Sequence, residues 1–295
     1  MSQPPSQMPP VNAAVWIASY PKSGNTWVQG VVRTAGRTLG FPSSDLDVYR
    51  LMADKREPQA VRGVRPVVSV TPTTVLKTHS AFKPDNQLHP ALRLKTAGFV
   101  CVMRNPLDML LSYINFTRQQ YERRKESSDY QTQLFVDLLG FDKPFSFEHW
   151  QTMTLEDIPR ANLDHALIRF TELSTEIPGL TGVAGGSWLE HCRSWKHASE
   201  HLPAVFLKYE ELLKGPESFL RLGRLFTFTE QQIVDAVNKV NETQQQRKGK
   251  KIFFNKMTAY YFNQFFSPEV VDRFLERFEA ELTELGYKSL YKHRT

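Results

Sequence analysis

The sequence has little cysteine and no long apolar run. Cys101 and Cys192 are the only cysteines among 295 residues, too few for a disulfide scaffold or a cysteine-ligated zinc site. No stretch of 18 or more residues is apolar throughout, which excludes a transmembrane helix. The 15 glycines and 18 prolines show no collagen-like period. Basic residues exceed acidic ones by only six, 37 against 31, so the charge alone does not establish an anionic ligand.

What is present fits a globular chain. The length suits one large domain or two small ones, and 41% apolar with 23% charged residues is an ordinary balance. Residues 1–10 lack both the basic and the apolar region of a signal peptide, so we expect residues 1–12 to be a disordered tail. Residues 13–295 are expected to form a single domain. The scarce cysteines suit a reducing compartment, so we expect a cytoplasmic location, with neither nucleic acid nor a membrane as a partner.

Short apolar runs alternate with helical patterns along the chain. The predicted strands are Val15–Tyr20, one within Val67–Leu76, Ala97–Met103 and Ala204–Tyr209. Helices are predicted from about Thr26 to Gly36, after Pro106, over Ser187–Ser199, and at about 216–226, 229–246 and 268–286. Because the strands are continuously apolar, the sequence predicts an α/β fold of three layers, a central parallel sheet flanked by helices. The segment at about 118–182 has no clear strand and is predicted to be a mainly helical insert.

The first predicted strand runs into a loop suited to an anion. Residues 19–27 read SYPKSGNTW, which is a strand end, a loop of small residues with one lysine, and the start of a helix. Backbone N–H groups at a helix start point at a bound anion, and the lysine adds a full charge. The loop does not match the Walker sequence, in which a first glycine is followed, after four residues, by Gly-Lys-Ser/Thr. On these grounds alone, a phosphate site and an ordinary strand–helix turn are both open.

Five short motifs follow one another along the chain: PKSGNTW at 21–27, Lys77-Thr78-His79, Arg104 with Ser112 eight residues later, Tyr209-Glu210, and Arg247-Lys248-Gly249. Together they resemble the sulfotransferases that use 3′-phosphoadenosine 5′-phosphosulfate (PAPS). A helix start at Gly186–Trp188 is also similar to the family. Any one triplet is a weak signal, but five motifs in the family's order on the expected elements are specific. The resemblance covers the chain from Trp16 to Gly249.

The resemblance implies a P-loop-like nucleotide-binding core and a sulfuryl transfer from PAPS to an acceptor hydroxyl by in-line displacement. Three residues are implied in catalysis: His79 as general base, Lys22 on the bridging oxygen of the leaving group, and Lys77 on the transferring sulfonate. No metal is expected, because cationic side chains would do the work that Mg²⁺ does for ATP. No carboxylate pair or histidine cluster is expected to have metal-ligand spacing.

The resemblance also implies which residues bind PAPS, and its product PAP. The residues implied at the 5′-phosphate are Lys22, Ser23, Gly24, Asn25 and Thr26, and those at the 3′-phosphate are Arg104, Ser112, Arg247, Lys248 and Gly249. Trp27 and Tyr209 are implied at the adenine. A tryptophan on a helix face and a tyrosine at a strand end are also ordinary core residues, and that alternative stays open.

The chain departs from the family pattern in two places. After Gly249 it reads KKIFFNKMTAYYFNQFFSPE, without the family's dimer motif, so the oligomeric state is not predicted. The interval from Ser112 to Gly186 is long, and the insert is therefore expected on the acceptor side, as a mobile helical lid. The alternative is a peripheral helical subdomain that only enlarges the core. The ending Leu285–Tyr287 suggests a bacterial member. We expect a natural-product or glycan hydroxyl as acceptor, with a sugar or nitrogen nucleophile as the alternative.

Two other function classes are weighed against the sulfotransferase. A P-loop-type small-molecule kinase needs a Gly-Lys-Ser/Thr order and a Mg²⁺-binding aspartate after a second strand, and the sequence offers neither. A catalytically silent nucleotide-binding protein is disfavoured by the intact His79 and Lys22, although the sequence leaves it open.

Overall fold

This computed structural model describes most of the predicted domain. The described residues are 13–38, 65–70, 73–82, 95–121, 136–141, 154–177, 186–246 and 258–293. Two predicted features lie outside them, the tail at 1–12 and the triplet at 247–249.

Five strands form one sheet in the order β2-β3-β1-β4-β5. Their bounds are β1 Ala13–Ala18, β2 Arg65–Val70, β3 Thr73–Thr78, β4 Lys95–Met103 and β5 Ala204–Lys208. The strands β3, β1, β4 and β5 are parallel, which confirms the prediction, while β2 is antiparallel to β3. The strand predicted within Val67–Leu76 is present as β3, while the second strand that this stretch contributes to, β2, was not predicted. Pro72 stands between them in the sequence, and a proline cannot donate to a central strand ladder.

Helices fill the connections between the strands. They are α1 Asn25–Thr38, α2 Pro106–Tyr121, α3 Arg160–Glu172, α4 Trp188–Ala198, α5 Tyr209–Leu212, α6 Glu230–Gln246, α7 Pro268–Arg277 and α8 Glu279–Glu284. Three segments are 3₁₀-helical, Pro216–Arg224, Tyr261–Gln264 and Lys288–His293. The single helix predicted at 268–286 is instead two helices, since Phe278 leaves helical geometry with φ −116° and ψ 22°. In the described part of the chain, no helix is long and apolar enough to cross a membrane.

Both faces of the sheet are buried. Alternate residues of β1 point to opposite faces, so Trp16 packs with α2, α4 and the C-terminal helices. Val15 and Ile17 pack on the other face with α1, α6 and the 3₁₀ segment after α5. The continuously apolar strands follow from this double burial, and the predicted three-layer arrangement is confirmed.

The described part of the predicted insert is helical and contains no strand. Its main element, α3, is amphipathic and buries Leu163, Ala166, Leu167 and Phe170. The ring of Phe170 stacks on that of Phe274 in α7, with 5.9 Å between the centroids. This helix is therefore part of the main core. The mobile lid stays a prediction, because residues 122–135, 142–153 and 178–185 lie outside the described part.

Candidate active site

Four parallel strands end at the same edge of the sheet. Ala18 of β1 lies opposite Thr78 of β3, and Met103 of β4 lies opposite Lys208 of β5. The loops that follow parallel strands therefore open on one side, where α/β proteins bind ligands. The predicted motifs at this edge are PKSGNTW, Lys77-Thr78-His79, Arg104 and Tyr209-Glu210. Four of the five motifs thus come together at one place.

The loop after β1 turns tightly before α1 begins. Lys22 and Gly24 have φ angles of 71° and 97°, in the left-handed region. A side chain at Gly24 would not fit, because its Cβ would lie 2.6 Å from Cδ2 of Tyr209. The Nδ2 of Asn25 donates to the carbonyl oxygen of Ile17 at 3.1 Å and so holds the loop to the sheet. Because the Asn25 side chain hydrogen-bonds within the protein, we assign the predicted phosphate contact to its backbone N–H.

The start of α1 offers donors to an anion. Ser23 is fully buried, and its Oγ has no hydrogen-bond partner among the described residues. Thr26, in the first turn, is exposed. The first N–H groups of a helix lack intrahelical acceptors and favour negative charge. An unpartnered hydroxyl beside a helix start fits the oxygen of a phosphate group.

His79 follows β3 and is oriented by the end of β1. Its Nδ1 lies 2.8 Å from the carbonyl oxygen of Ser19 and 3.3 Å from Ser19 Oγ. Because a carbonyl oxygen only accepts, Nδ1 carries the hydrogen and Nε2 keeps the lone pair of the neutral ring. Burial, and then the charge of Lys77, lower the pKa of His79 to about 3. The ring is therefore neutral at pH 7 and presents the Nε2 lone pair, and an anion bound beside Lys77 would raise its basicity by offsetting the lysine charge.

Three cations crowd this edge. Burial, followed by the charges of Arg104 and Lys77, lowers the pKa of Lys22 to about 7. The Nζ of Lys22 lies 4.1 Å from the centroid of the Phe116 ring. Lys77 is half-buried on β3 and acts electrostatically on both Lys22 and His79. A multiply charged anion bound here would relieve this repulsion, because an opposite charge favours the charged form of each group.

Arg104 is a buried cation at the end of β4. Its side chain donates from Nη1 to the carbonyl oxygen of Lys22 at 3.2 Å, and its Cζ lies 4.2 Å from the centroid of the Tyr209 ring. Its Nε has no hydrogen-bond partner among the described residues. An unpartnered donor on a buried charge is costly, and a phosphate oxygen is its natural acceptor.

The remaining described site residues, Trp27, Ser112 and Tyr209, lie on α1, α2 and α5. Ser112 is half-buried on α2. The ring of Tyr209, at the start of α5, meets Trp27 edge-on with 6.2 Å between centroids. Trp27 is buried, and its Nε1 donates to Oδ1 of Asn241 at 3.0 Å. Both aromatic rings contribute to the core in this structure, and their contact with adenine stays a prediction.

A buried polar network that the motifs did not reveal supports the site. Oε1 of Glu210 accepts from the backbone N–H of Asn105 at 2.8 Å and from its Nδ2 at 2.9 Å. Oδ2 of Asp108 accepts from the same Nδ2 at 2.9 Å and from the backbone N–H of Tyr260 at 2.6 Å. Burial raises the pKa of both carboxyl groups. No local pattern could have predicted the contact between Asp108 and Tyr260, since 152 residues separate them.

The predicted helix start at Gly186–Trp188 joins this network. Ser187 and Glu190 form a capping box at the start of α4. The Nε1 of Trp188 donates to the carbonyl oxygen of Arg104 at 3.2 Å. The helix start therefore fixes the backbone of the arginine that ends β4.

One group of potential metal ligands lies at the other end of α4. His197, Glu200 and His201 are exposed, and their ligating atoms lie within 4.8 Å of one another. The expectation that no histidine cluster has metal-ligand spacing was wrong here, because the chain turns directly after α4 and brings Glu200 and His201 beside His197 in its last turn. Within the described ranges, no such group lies at the carboxyl edge of the sheet.

Comparison with known proteins identifies the family. The model of the sulfotransferase domain matches residues 12–286. Rabbit (Oryctolagus cuniculus) Sulfotransferase 1C2 is 24% identical over 208 residues, which is 70% of this chain and 55% of the rabbit protein. Guinea pig (Cavia porcellus) Sulfotransferase 1E1 is 21% identical over 262 residues, which is 85% of this chain and 72% of that protein.

The fold is also found in a solved structure. The crystal structure of mouse sulfotransferase SULT7A1 complexed with PAP aligns with a TM-score of 0.52 and 14% identity, over 92% of this chain and 85% of the mouse chain. The chain spans about half the length of the rabbit protein, yet the family model matches nearly all of the chain itself. The chain therefore belongs to the sulfotransferase domain family.

Proposed function

We propose that this chain transfers a sulfuryl group from PAPS to a hydroxyl group of an acceptor. The observation that carries the proposal is a neutral His79 beside Lys22 and Lys77, on the same sheet edge as the anion-binding loop. A general base needs an available lone pair, and a departing phosphate oxygen needs a nearby cation. Membership of the family and the unpartnered donors of Ser23 and Arg104 support PAPS as the co-substrate.

The chemistry is an in-line displacement at sulfur. Nε2 of His79 takes the proton of the acceptor hydroxyl while the acceptor oxygen forms its bond to sulfur. The bond from sulfur to the bridging oxygen breaks, and its electron pair stays on the 5′-phosphate of PAP, where Lys22 neutralises the charge. Lys77 neutralises the sulfonate oxygens. By analogy with phosphoryl transfer the transition state is loose, so catalysis consists of positioning and electrostatic stabilisation.

Separate groups are available for the two phosphates of PAPS. We assign the 5′-phosphate to Lys22, Ser23, Thr26 and the backbone N–H groups of Gly24 and Asn25, and the 3′-phosphate to Arg104 and Ser112. Arg247, Lys248 and Gly249 stay predicted members of the 3′-phosphate site, and Trp27 and Tyr209 stay predicted adenine contacts. The fit rests on donor chemistry, since Arg104 offers a planar, permanently charged fork to a phosphate.

The acceptor is proposed to be a small molecule or a glycan with a reactive hydroxyl. We favour a natural-product hydroxyl over a sugar or nitrogen nucleophile. The predicted insert supports a substrate that differs from small phenols and steroids, because it adds residues where the family builds its acceptor pocket. The relatives named above are mammalian, and a bacterial origin stays a prediction, as does the cytoplasmic location.

A two-step experiment tests the proposal. Melting temperatures measured with PAPS and with ATP plus Mg²⁺ compare the sulfotransferase with a kinase, and we expect a rise with PAPS only. A panel of hydroxylated acceptors is then incubated with PAPS, and PAP formation is measured. Acceptor-dependent PAP formation by the wild type, with none by His79→Ala, would support the proposal. A shift with ATP and none with PAPS would refute it, and PAPS binding without turnover on any acceptor would favour the silent nucleotide-binding protein.

A further inference from the structure

Two tyrosine rings lie close to the Arg104 guanidinium. Tyr209 follows β5, and the centroid of its ring is 4.2 Å from Cζ of Arg104. Tyr261 belongs to the 3₁₀ segment Tyr261–Gln264, and its ring centroid is 5.8 Å from the same atom. An arginine within about 6 Å of a ring centroid is attracted by the ring's quadrupole, and the attraction grows as water is excluded. Tyr261 is only 7% exposed, so this contact lies in a dry environment.

Tyr261 is held in place by the same helix that follows Arg104. Its hydroxyl donates to the carbonyl oxygen of Asp108 at 3.1 Å. The Asp108 carboxylate accepts from the backbone N–H groups of the two neighbours, Tyr260 at 2.6 Å and Phe262 at 3.1 Å. Three hydrogen bonds thus tie residues 260–262 to the first turn of α2. Such a firmly anchored ring has little freedom to move away from the guanidinium.

The backbone at the N-terminal end of this anchor is unusual. Tyr260 has φ 58° and ψ 29°, a left-handed conformation that a tyrosine adopts rarely. The strain is offset by the two bonds to Asp108 and by the stacking of the Tyr260 ring on His293 at 3.9 Å. Residues held in such conformations cluster at functional sites, where surrounding contacts determine them.

We propose that Tyr261 is a positioning residue that orients Arg104 toward the 3′-phosphate of PAPS and PAP. Without an aromatic wall on this side, the guanidinium can turn about its stem, and its unpartnered Nε no longer faces a fixed direction. Tyr261 therefore increases the affinity only for ligands that carry the 3′-phosphate. This inference rests on the proposed function, because it assumes that PAP is the nucleotide product.

Two matched ligands distinguish a loss of Arg104 orientation from a general loss of nucleotide binding. PAP and adenosine 5′-phosphate differ only in the 3′-phosphate, and their dissociation constants are measured by calorimetry with the purified full chain. In Tyr261→Met, which keeps volume without an aromatic face, we expect PAP affinity to fall about tenfold, on the scale of a desolvated cation–π contact. We expect the affinity for adenosine 5′-phosphate to change less than twofold. Tyr261→Phe keeps the ring and should retain most of the PAP affinity.

Two controls complete the design. Tyr291→Met removes another C-terminal tyrosine, whose hydroxyl also donates to a backbone carbonyl, that of Leu275 at 2.8 Å, and we expect both affinities to be kept. Tyr261→Met is also made in an Arg104→Lys background, where a residue that acts through the guanidinium should have no further effect on PAP. If Tyr261→Met does not fold, Tyr261→Leu and Tyr261→His are measured in the same way.

The outcomes are distinct. Equal losses for PAP and adenosine 5′-phosphate, or an undiminished effect of Tyr261→Met in the Arg104→Lys background, would overturn the positioning role and leave the proposed function intact. Failure of the folded wild type to bind PAP would overturn the proposed function itself. A selective loss of PAP affinity that disappears in the Arg104→Lys background would support the inference.

Discussion

At the residue scale, the distinctive property of this edge is that its titratable groups are perturbed in opposite directions. Burial lowers the pKa of His79 to about 3 and that of Lys22 to about 7, while burial raises the pKa of Asp108 and Glu210. In each case burial disfavours the charged form, and nearby charges adjust the result. Such groups gathered at one edge are typical of functional sites.

His79→Ala should abolish turnover and leave PAP affinity nearly unchanged. In the proposed mechanism the lone pair on Nε2 accepts the acceptor's proton, and a positioned general base contributes roughly 10²–10⁴-fold to the rate. Turnover and PAP binding are measured on the same preparation. A variant that keeps more than about a tenth of the wild-type kcat would contradict this role. The control is His201→Ala, which removes an exposed histidine beyond the end of α4.

Lys22 should make PAP binding proton-linked. At pH 8 a lysine with a pKa of about 7 is mostly neutral, and the bound 5′-phosphate favours its charged form, so binding takes up as much as one proton. At pH 6 the lysine is already charged and the uptake should shrink. Calorimetry in two buffers with different ionisation enthalpies measures the protons exchanged. Lys22→Met should lose the uptake, and Lys214→Met, an exposed lysine, should retain it. Equal uptake in wild type and Lys22→Met would rule this linkage out.

At the element scale, the site depends on the strand ends and on the short loops that follow them. The loop between β1 and α1 approaches α5 so closely that the Tyr209 ring occupies the space of a side chain at position 24. Asn25 joins the same loop to the ends of β1 and β3, since its Nδ2 also donates to the carbonyl oxygen of Thr78 at 3.4 Å. The candidate anion-binding loop is thus shaped by contacts with three neighbouring elements.

Gly24→Ala should weaken PAP binding and destabilise the fold by roughly 1–3 kcal/mol, the range for a residue held in a strained conformation. The φ of 97° is unfavourable for alanine, and the new Cβ would displace Tyr209 from Arg104. The free energy of unfolding and the PAP dissociation constant are measured together. Gly30→Ala within α1 is the control. Its Cβ would lie 3.3 Å from a Val240 methyl group. We expect it to change the free energy of unfolding by less than about 1 kcal/mol. Wild-type PAP affinity in Gly24→Ala would show that the tight approach is unnecessary.

The elements themselves were predictable where their signals were local. The apolar runs of β1 and β4 and Pro106 at the start of α2 predicted those elements to within about two residues. The antiparallel β2 and the break at Phe278 were missed, because both are settled by tertiary packing rather than by periodicity. The same limit applies to the site. The motifs predicted His79, Lys22 and Arg104, whereas Asp108 and Tyr261 become visible only when distant segments meet.

At the scale of the whole molecule, α4 carries a fully buried histidine near the site. His191 is fully buried, both ring nitrogens lack hydrogen-bond partners among the described residues, and its ring meets that of Tyr20 edge-on at 5.8 Å. Burial lowers the pKa of His191 to about 3. In the unfolded chain a histidine titrates near 6.5, so the unfolded state binds a proton between these two pH values that the folded state does not.

His191 should make the fold sensitive to acid. Because the unfolded state binds the extra proton, the free energy of unfolding falls as the pH drops below about 6.5, by as much as about 1.4 kcal/mol per pH unit for this group. Denaturant unfolding at pH 7 and pH 5 measures the change. His191→Phe should reduce the pH dependence of the free energy of unfolding. His201→Gln is the control, at an exposed site, and should leave that dependence unchanged. The same slope in wild type and His191→Phe would contradict the assignment.

The carboxyl edge of the sheet gathers residues from Ser19 to Tyr261, and therefore exists only in a chain that has folded almost completely. A nucleotide bound there has no counterpart site in the unfolded chain. Occupancy and folding are then a single linked equilibrium, and a ligand at 100 times its dissociation constant adds about 2.7 kcal/mol to stability. That is a large share of the 5–15 kcal/mol typical of folded proteins. The loss of stability caused by a substitution far from this edge would therefore be hidden when nucleotide is abundant. It would become measurable when nucleotide is scarce.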